Sequence, residues 1–196
     1  DDVGNYTITD QGSTTANITA KTLTATASAS NKVYDGTTTA SVTLTFTGLV
    51  GDETLGQTVG ATFADKNVAN AKTVTVNSIT LSDDGGLADN YTISTGQTTT
   101  ANITPKALTI GGITASNKTY NGNTTATIDA SAATFGGLVV GDDVTVSATG
   151  TFDNKNVGTG KTVALVETNA GDDVGNYTIT DQGSTTANIT AKTLTA

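Results

Sequence analysis

The chain contains no cysteine, histidine, methionine, tryptophan or arginine, and proline occurs once, at Pro105. Each absence removes a class of chemistry. Without cysteine there is no disulfide framework and no thiolate metal site. That lack fixes no compartment, but it suits a chain exported unfolded through an oxidising periplasm. Without histidine or cysteine no nucleophile–base pair can be assembled. The two glutamates, Glu53 and Glu167, do not fall at equivalent places in the repeat described below, so they offer no acid–base pair either. We therefore expect no enzyme, with no catalytic, cofactor-binding or metal-binding residue and no cofactor. Cations are scarce as well: 9 lysines face 18 acidic residues, for a net charge of −9. That balance argues against binding nucleic acid or an anionic membrane surface, and favours solubility and mutual repulsion of chains. No apolar run approaches the ~20 residues of a membrane-spanning helix. No signal-peptide pattern is present, and because the chain begins in mid-repeat it reads as an internal fragment of a longer array.

What the chain does have is threonine, glycine and repetition. The phrase NYTITDQGSTTANITAKTLT at Asn5–Thr24 recurs unchanged at Asn176–Thr195, with a variant, NYTISTGQTTTANITPKALT, at Asn90–Thr109. The identity extends over Asp1–Ala25 and Asp172–Ala196, which points to recent duplication rather than to a folding requirement. The spacing of Tyr34 to Tyr120 equals that of Asn90 to Asn176 and exceeds that of Asn5 to Asn90 by one. Two alternating unit types follow: residues 1–20 end a preceding unit, 21–105 and 106–191 are full units, and 192–196 open the next.

Within a unit the apolar period is two. Val42, Leu44 and Phe46 alternate with threonines, as do Val59, Ala61 and Phe63, then Val74 and Val76; Ile79 and Leu81 are out of phase, which predicts a bulge near Asn77–Ser78. Asp35-Gly36, Gly51-Asp52, Asp83–Gly86, Asn121-Gly122 and Gly141-Asp142 mark turns. The alanine-rich stretch Asp129–Thr134 is too short and unstriped for a helix. The expected fold is all-β: tandem antiparallel, immunoglobulin-like β-sandwich repeats stacked end to end. Tyr34, Phe46, Phe63 and Tyr91 should fill the first core, and Tyr120, Phe135, Phe152 and Tyr177 the second. Only Thr-Pro-Lys-Ala separates Ile103 from Leu108, so the last strand of one unit should run almost directly into the first of the next.

NKVYDGTTTA at Asn31–Ala40, GLVGDE at Gly48–Glu53, the F-x-x-K-N-V stretches at Phe63–Val68 and Phe152–Val157, and NYTI…ANITPKALT resemble YDG and related MBG-type repeats. Such repeats occur in very large exported bacterial proteins, including filamentous-haemagglutinin-like adhesins of two-partner secretion systems. The resemblance covers essentially the whole chain and implies an extracellular, structural or adhesive setting at a bacterial cell surface. The second unit departs from the motif, with Asn121 where the first has Asp35. The expected role is a stalk that projects a functional tip, each unit adding about 35–40 Å if strands of about ten residues rise ~3.3 Å each. Its partners are then the neighbouring repeats, and laterally other copies. The alternatives are a repeat-borne glycan- or protein-binding module acting by avidity, or a self-associating filament or biofilm-matrix subunit.

Four further patterns invite chemistry. The acidic loops (Asp83, Asp84 and Asp89; Asp172 and Asp173; Asp52–Glu53; Asp142–Asp143) suggest calcium but match no calcium-loop spacing, and read as solvated turns. Lysines with Glu53 or Glu167 suggest isopeptide crosslinks, against which an ordinary surface role is favoured. Thr43, Thr45 and Thr47 suggest ice binding, but the rows are short. Asn-x-Thr sequons such as Asn90-Tyr91-Thr92 and Asn102-Ile103-Thr104 are compositional in so Asn- and Thr-rich a chain.

Overall fold

The computed structural model describes residues 2–195, and Asp1 and Ala196, at the tips of the two expected partial units, lie outside them. The first unit comprises β1 (Lys21–Ala29), β2 (Lys32–Val33), β3 (Thr39–Ala40), β4 (Val42–Thr47), β5 (Leu55–Phe63), β6 (Ala69–Asp83), β7 (Tyr91–Ile93) and β8 (Thr98–Thr104). The second comprises β9 (Lys106–Gly111), β10 (Thr114–Ala115), β11 (Lys118–Thr119), β12 (Thr125–Ala126), β13 (Ile128–Asp129), β14 (Thr134–Gly136), β15 (Thr145–Phe152), β16 (Gly158–Ala170), β17 (Tyr177–Thr180) and β18 (Ser184–Thr190). No α-helix occurs among the described residues.

Each unit is a sandwich of a small and a large sheet. In the first, β4-β1-β7 faces β2-β8-β6-β5-β3; in the second, the paired β10 and β13 lie against β11-β18-β16-β15-β12, and the apolar residues of β14-β9-β17 join the cluster of the first unit. The ladders are antiparallel except that β1 pairs with β7, β2 with β8, β9 with β17 and β11 with β18 in parallel. The sequence phrase of the repeat thus divides between sheets: Tyr91–Ile93 closes the small sheet, and Thr98–Thr104 crosses into the large one.

Period-two alternation puts one face of every strand inside. Leu44 from the small sheet meets Phe63, Val74, Val76 and Ile103 from the large one, with Tyr34 at the end of the stack. Phe152, Val163, Ala187 and Ile189 repeat this in the second unit. Each such large apolar group, fully buried, contributes about 1.5–3 kcal/mol. The bulge falls where the phase change requires it: Gly60 pairs with Ser78 and Ala61 with Val76, leaving Asn77 as the extra residue.

Within the stretch Asp129–Thr134, residues 130–133 form a turn between β13 and β14 that splits one long ladder into β9/β14 and β10/β13. Opposite it, Gly112 adopts φ 78°, and a Cβ there would stand 2.6 Å from the Ala132 carbonyl oxygen. Ile113, 1% exposed, loses its strand partners at this break. The Gln182 side-chain amide replaces them, accepting from the Ile113 N–H and donating to its carbonyl, both at 2.8 Å. Residues 6–20, expected to be the last strands of a preceding unit, pair with no strand.

A second bulge, in β6 and again in β16, is pinned by the asparagine of the Ala-Asn-Ile-Thr in β8 and in β18. Asn102 Oδ1 accepts from the Ala71 N–H at 2.8 Å, and Asn188 Oδ1 from the Gly160 N–H at 2.7 Å. Both residues held this way are left-handed, Ala71 at φ 51° and Gly160 at φ 59°. An alanine pays steric energy for that conformation and a glycine does not. Ala71→Gly is expected to raise stability by about 0.5–1 kcal/mol, and Gly160→Ala to lower it comparably. Urea denaturation midpoints of the two variants measure both.

Candidate functional site: the joint between the units

Only Pro105 separates β8 from β9, and beside it the units meet through hydrogen bonds and ion pairs between side chains. At the centre is Asp142, in the turn before β15, with its side chain 4% exposed. Its Oδ2 accepts from the Tyr34 hydroxyl of the first unit at 2.8 Å and from the Tyr177 hydroxyl of its own unit at 2.6 Å. Its Oδ1 takes Lys66 Nζ at 3.1 Å, and the same ammonium reaches Asp173 Oδ1 at 2.8 Å. The two tyrosine rings stack edge to face with centroids 5.5 Å apart. Beside them Asn176, 4% exposed, accepts the Val68 N–H at 2.9 Å and donates to Asn67 Oδ1 at 3.3 Å.

The Tyr-Asp-Gly sequence can be read residue by residue from this geometry. Tyr34 places the hydroxyl on Asp142. Asp35 closes its own turn, accepting the Thr37 N–H and hydroxyl at 2.9 Å each and Lys32 Nζ at 2.7 Å. Gly36 supplies φ 78°, and a Cβ there would meet Val139 of the next unit at 2.8 Å. Lys-Asn-Val completes the first unit's half of the joint, with Lys66 on the two carboxylates, Asn67 on Asn176 and the Val68 N–H on Asn176.

Charges are shifted in the senses this packing demands. Burial alone would raise the Asp142 carboxyl, but hydrogen bonds from Tyr177, Tyr34 and Lys66 outweigh it and hold it below the usual range. Asp173 is lowered by Lys66 and by the Asp143 N–H. Lys66 is raised well above the ordinary lysine value by Asp173 and Asp142. Tyr177 is pushed up to about 12 by burial and by the hydrogen bond its hydroxyl donates to Asp142.

The acidic loops thus have different fates. Asp142 and Asp173, expected to be solvated turn residues, are joint residues. Asp83 caps the Ala88 N–H at 2.8 Å, Asp84 offers its carbonyl to Thr54, and the Asp172 N–H donates to Asp143 Oδ2 at 3.3 Å. Asp52 and Asp89 are exposed. No cluster of three or more metal-ligating side chains occurs among the described residues. Lys32 and Lys118, expected at the surface, are clamps. Each ammonium lies over a core ring, Phe63 at 5.7 Å and Phe152 at 5.3 Å, and binds the carbonyls of its own loop. Neither glutamate sits against a lysine: Glu53 accepts the Tyr91 hydroxyl, and Glu167 accepts the Gly183 N–H at 2.8 Å. The threonine row Thr43, Thr45, Thr47 faces outward on the small sheet of the first unit. In the second unit the strands paired there, β9 and β14, carry Ala107, Thr109 and Gly111, and Thr134 and Gly136, at those positions.

Removing the carboxylate leaves two buried tyrosine hydroxyls without their acceptor and the Lys66 ammonium with Asp173 alone. Asp142→Ala is expected to cost about 3 kcal/mol or more and to split one cooperative urea transition into two as the units uncouple. The pH dependence has a definite sign. Asp142 and Asp173, lowered on folding, contribute above the unfolded carboxylate value of about 3.9 and lose that contribution as pH falls through their folded values. Lys66 and Tyr177, raised on folding, contribute below about 10.4 and about 10 respectively and lose it as pH rises through their folded values. Midpoints measured against pH are therefore expected to fall steeply on the acid side in the native chain, and less steeply in Asp142→Ala.

Neither a curated protein nor a solved structure matches the sequence. The family described as the YDG domain matches twice in tandem, over residues 19–101 and 104–187. Those two stretches take in most of the chain and the half-joints just described, and the chain belongs to the YDG domain family.

Proposed function

We propose that this chain is a segment of a spacer: a structural stalk in a large exported bacterial surface protein, which holds a functional tip away from the cell. The observation that carries this reading is the joint. Two units linked through a single residue, with a buried carboxylate shared between them and a common apolar core, have little freedom to swivel. A flexible linker would serve a tether, and a fixed joint serves a rod. A net charge of −9 keeps neighbouring rods apart and soluble. The buried aromatics also bear on the rival binding-module reading. Tyr34, Phe63, Tyr91, Phe152 and Tyr177 are buried, and Tyr6, outside the two full units, is the one largely exposed aromatic among the described residues, which counts against an aromatic sugar platform on the repeats.

Small-angle scattering on this chain and on a four-unit tandem tests the proposal. The maximum dimension is expected to grow nearly in proportion to unit number. A compact or broadly distributed shape would sink the spacer reading, and reproducible binding on a glycan array would favour its rival.

A further inference from the structure

Among the described residues, β4 is an edge strand: β1 pairs with one side of it and no strand with the other. Its sequence, VTLTFT, carries neither charge nor proline, the usual devices that keep a free edge from pairing with another chain. Leu44 directs its N–H and carbonyl to the free side, since the Gln57 side chain holds both. Outward and inward backbone groups alternate along an antiparallel strand, so those of Val42 and Phe46 face the same way. The open edge is thus symmetric about Leu44. Of its three outward-facing residues, Leu44 alone has a hydrogen-bond partner there among the described residues.

Gln57 is anomalous where it stands. It falls in the inward row of β5, whose other members, Leu55, Val59, Ala61 and Phe63, are all apolar. The matching position of the second unit, as far before Phe152 as Gln57 is before Phe63, is Val146. The second unit protects the same edge by other means. There residues 130–133 break it into β13 and β14, of two and three residues, and very short strands offer an incoming chain little to pair with. The unit with the unbroken edge carries glutamine, and the unit with the broken edge carries valine.

We propose that Gln57 is a guard, which holds the β4 edge closed against the β4 edge of a second copy of this chain. Two such edges fit one another about a twofold axis. They would pair antiparallel with Leu44 against Leu44 and Val42 against Phe46, each pair exchanging two hydrogen bonds. The Gln57 amide occupies the central pair of groups and so blocks the whole ladder. The guard concerns one edge within one unit, so its failure would leave the scattering expectation unchanged.

Sedimentation over a concentration series tests it. Gln57→Val, which installs the residue the second unit carries, is expected to dimerise at least tenfold more strongly than the native 19.5 kDa chain, with no fall in its urea midpoint. Gln57→Met, of the same length but without the amide, should behave alike and serves if valine fills the site poorly. Adding Thr43→Lys and Thr45→Lys, both on the exposed face of β4, sets like charges directly opposite one another across the ladder. The pair should return association to the native level. An amide that only braces the two sheets gives the opposite pattern, a lower urea midpoint without added association. That pattern, or association indifferent to the two lysine substitutions, would overturn the proposal.

Discussion

A carboxylate removed from water must be fully partnered or it destabilises the fold that buries it. Asp142 meets that requirement only by drawing on two units at once, through Tyr177 from its own and Tyr34 and Lys66 from the one before. Much else follows from this one obligation. Tyr34 must lie at the very end of its unit, which fixes the turn that Asp35 and Lys32 hold in place. Lys66 must project from the turn between β5 and β6. Val139 must approach closely enough that only glycine fits opposite it. The apolar cluster of the first unit then runs on through Leu108, Val144 and Tyr177 of the second without a break.

Most of the fold was legible because it obeys local rules. Alternation gave the strands, the phase slip at Ile79 gave the Asn77 bulge, and the short Thr-Pro-Lys-Ala seam gave the direct passage from β8 to β9. The aromatic residues assigned to the core are there, with Phe46, Tyr120 and Phe135 at its margin. The joint was not legible, for a specific reason. Gly-Asp followed by an acidic residue has the composition of an exposed turn, and in the first unit Asp52 is exposed. The letters align Asp52 with Asp142, but the geometry aligns Glu53 with it, since Glu53 and Asp142 both receive a tyrosine hydroxyl. A one-residue offset in a loop hid the repeated role. The lysine clamps were missed because nothing in the order Lys-x-Tyr says that the ammonium lies back over a phenylalanine three strands across the same sheet.

The two units also show how differently one architecture can be satisfied. Where the first unit runs a single ladder along β1 and β4, the second breaks it at Gly112 and repairs the break with Gln182. Gln57 serves the first unit in the same manner, its amide accepting the Leu44 N–H at 3.1 Å and donating to the Leu44 carbonyl at 2.8 Å. The amide side chain acts in both as a short substitute for a missing strand, reached from unrelated positions. What the units hold in common is the lysine over the ring, the asparagine in the bulge and the tyrosine at the tip.

The parallel pairings have a mechanical meaning. The chain enters a unit at the start of β1 and leaves at the end of β8, and these strands run parallel to β7 and β2 respectively. A pull applied to the two ends therefore slides strands past one another along their length, so that the bonds of a ladder share the load. Opening a hairpin from its end would break them singly. With one residue between β8 and β9, tension leaving one unit enters the next already aligned with a strand, and no slack loop absorbs it first.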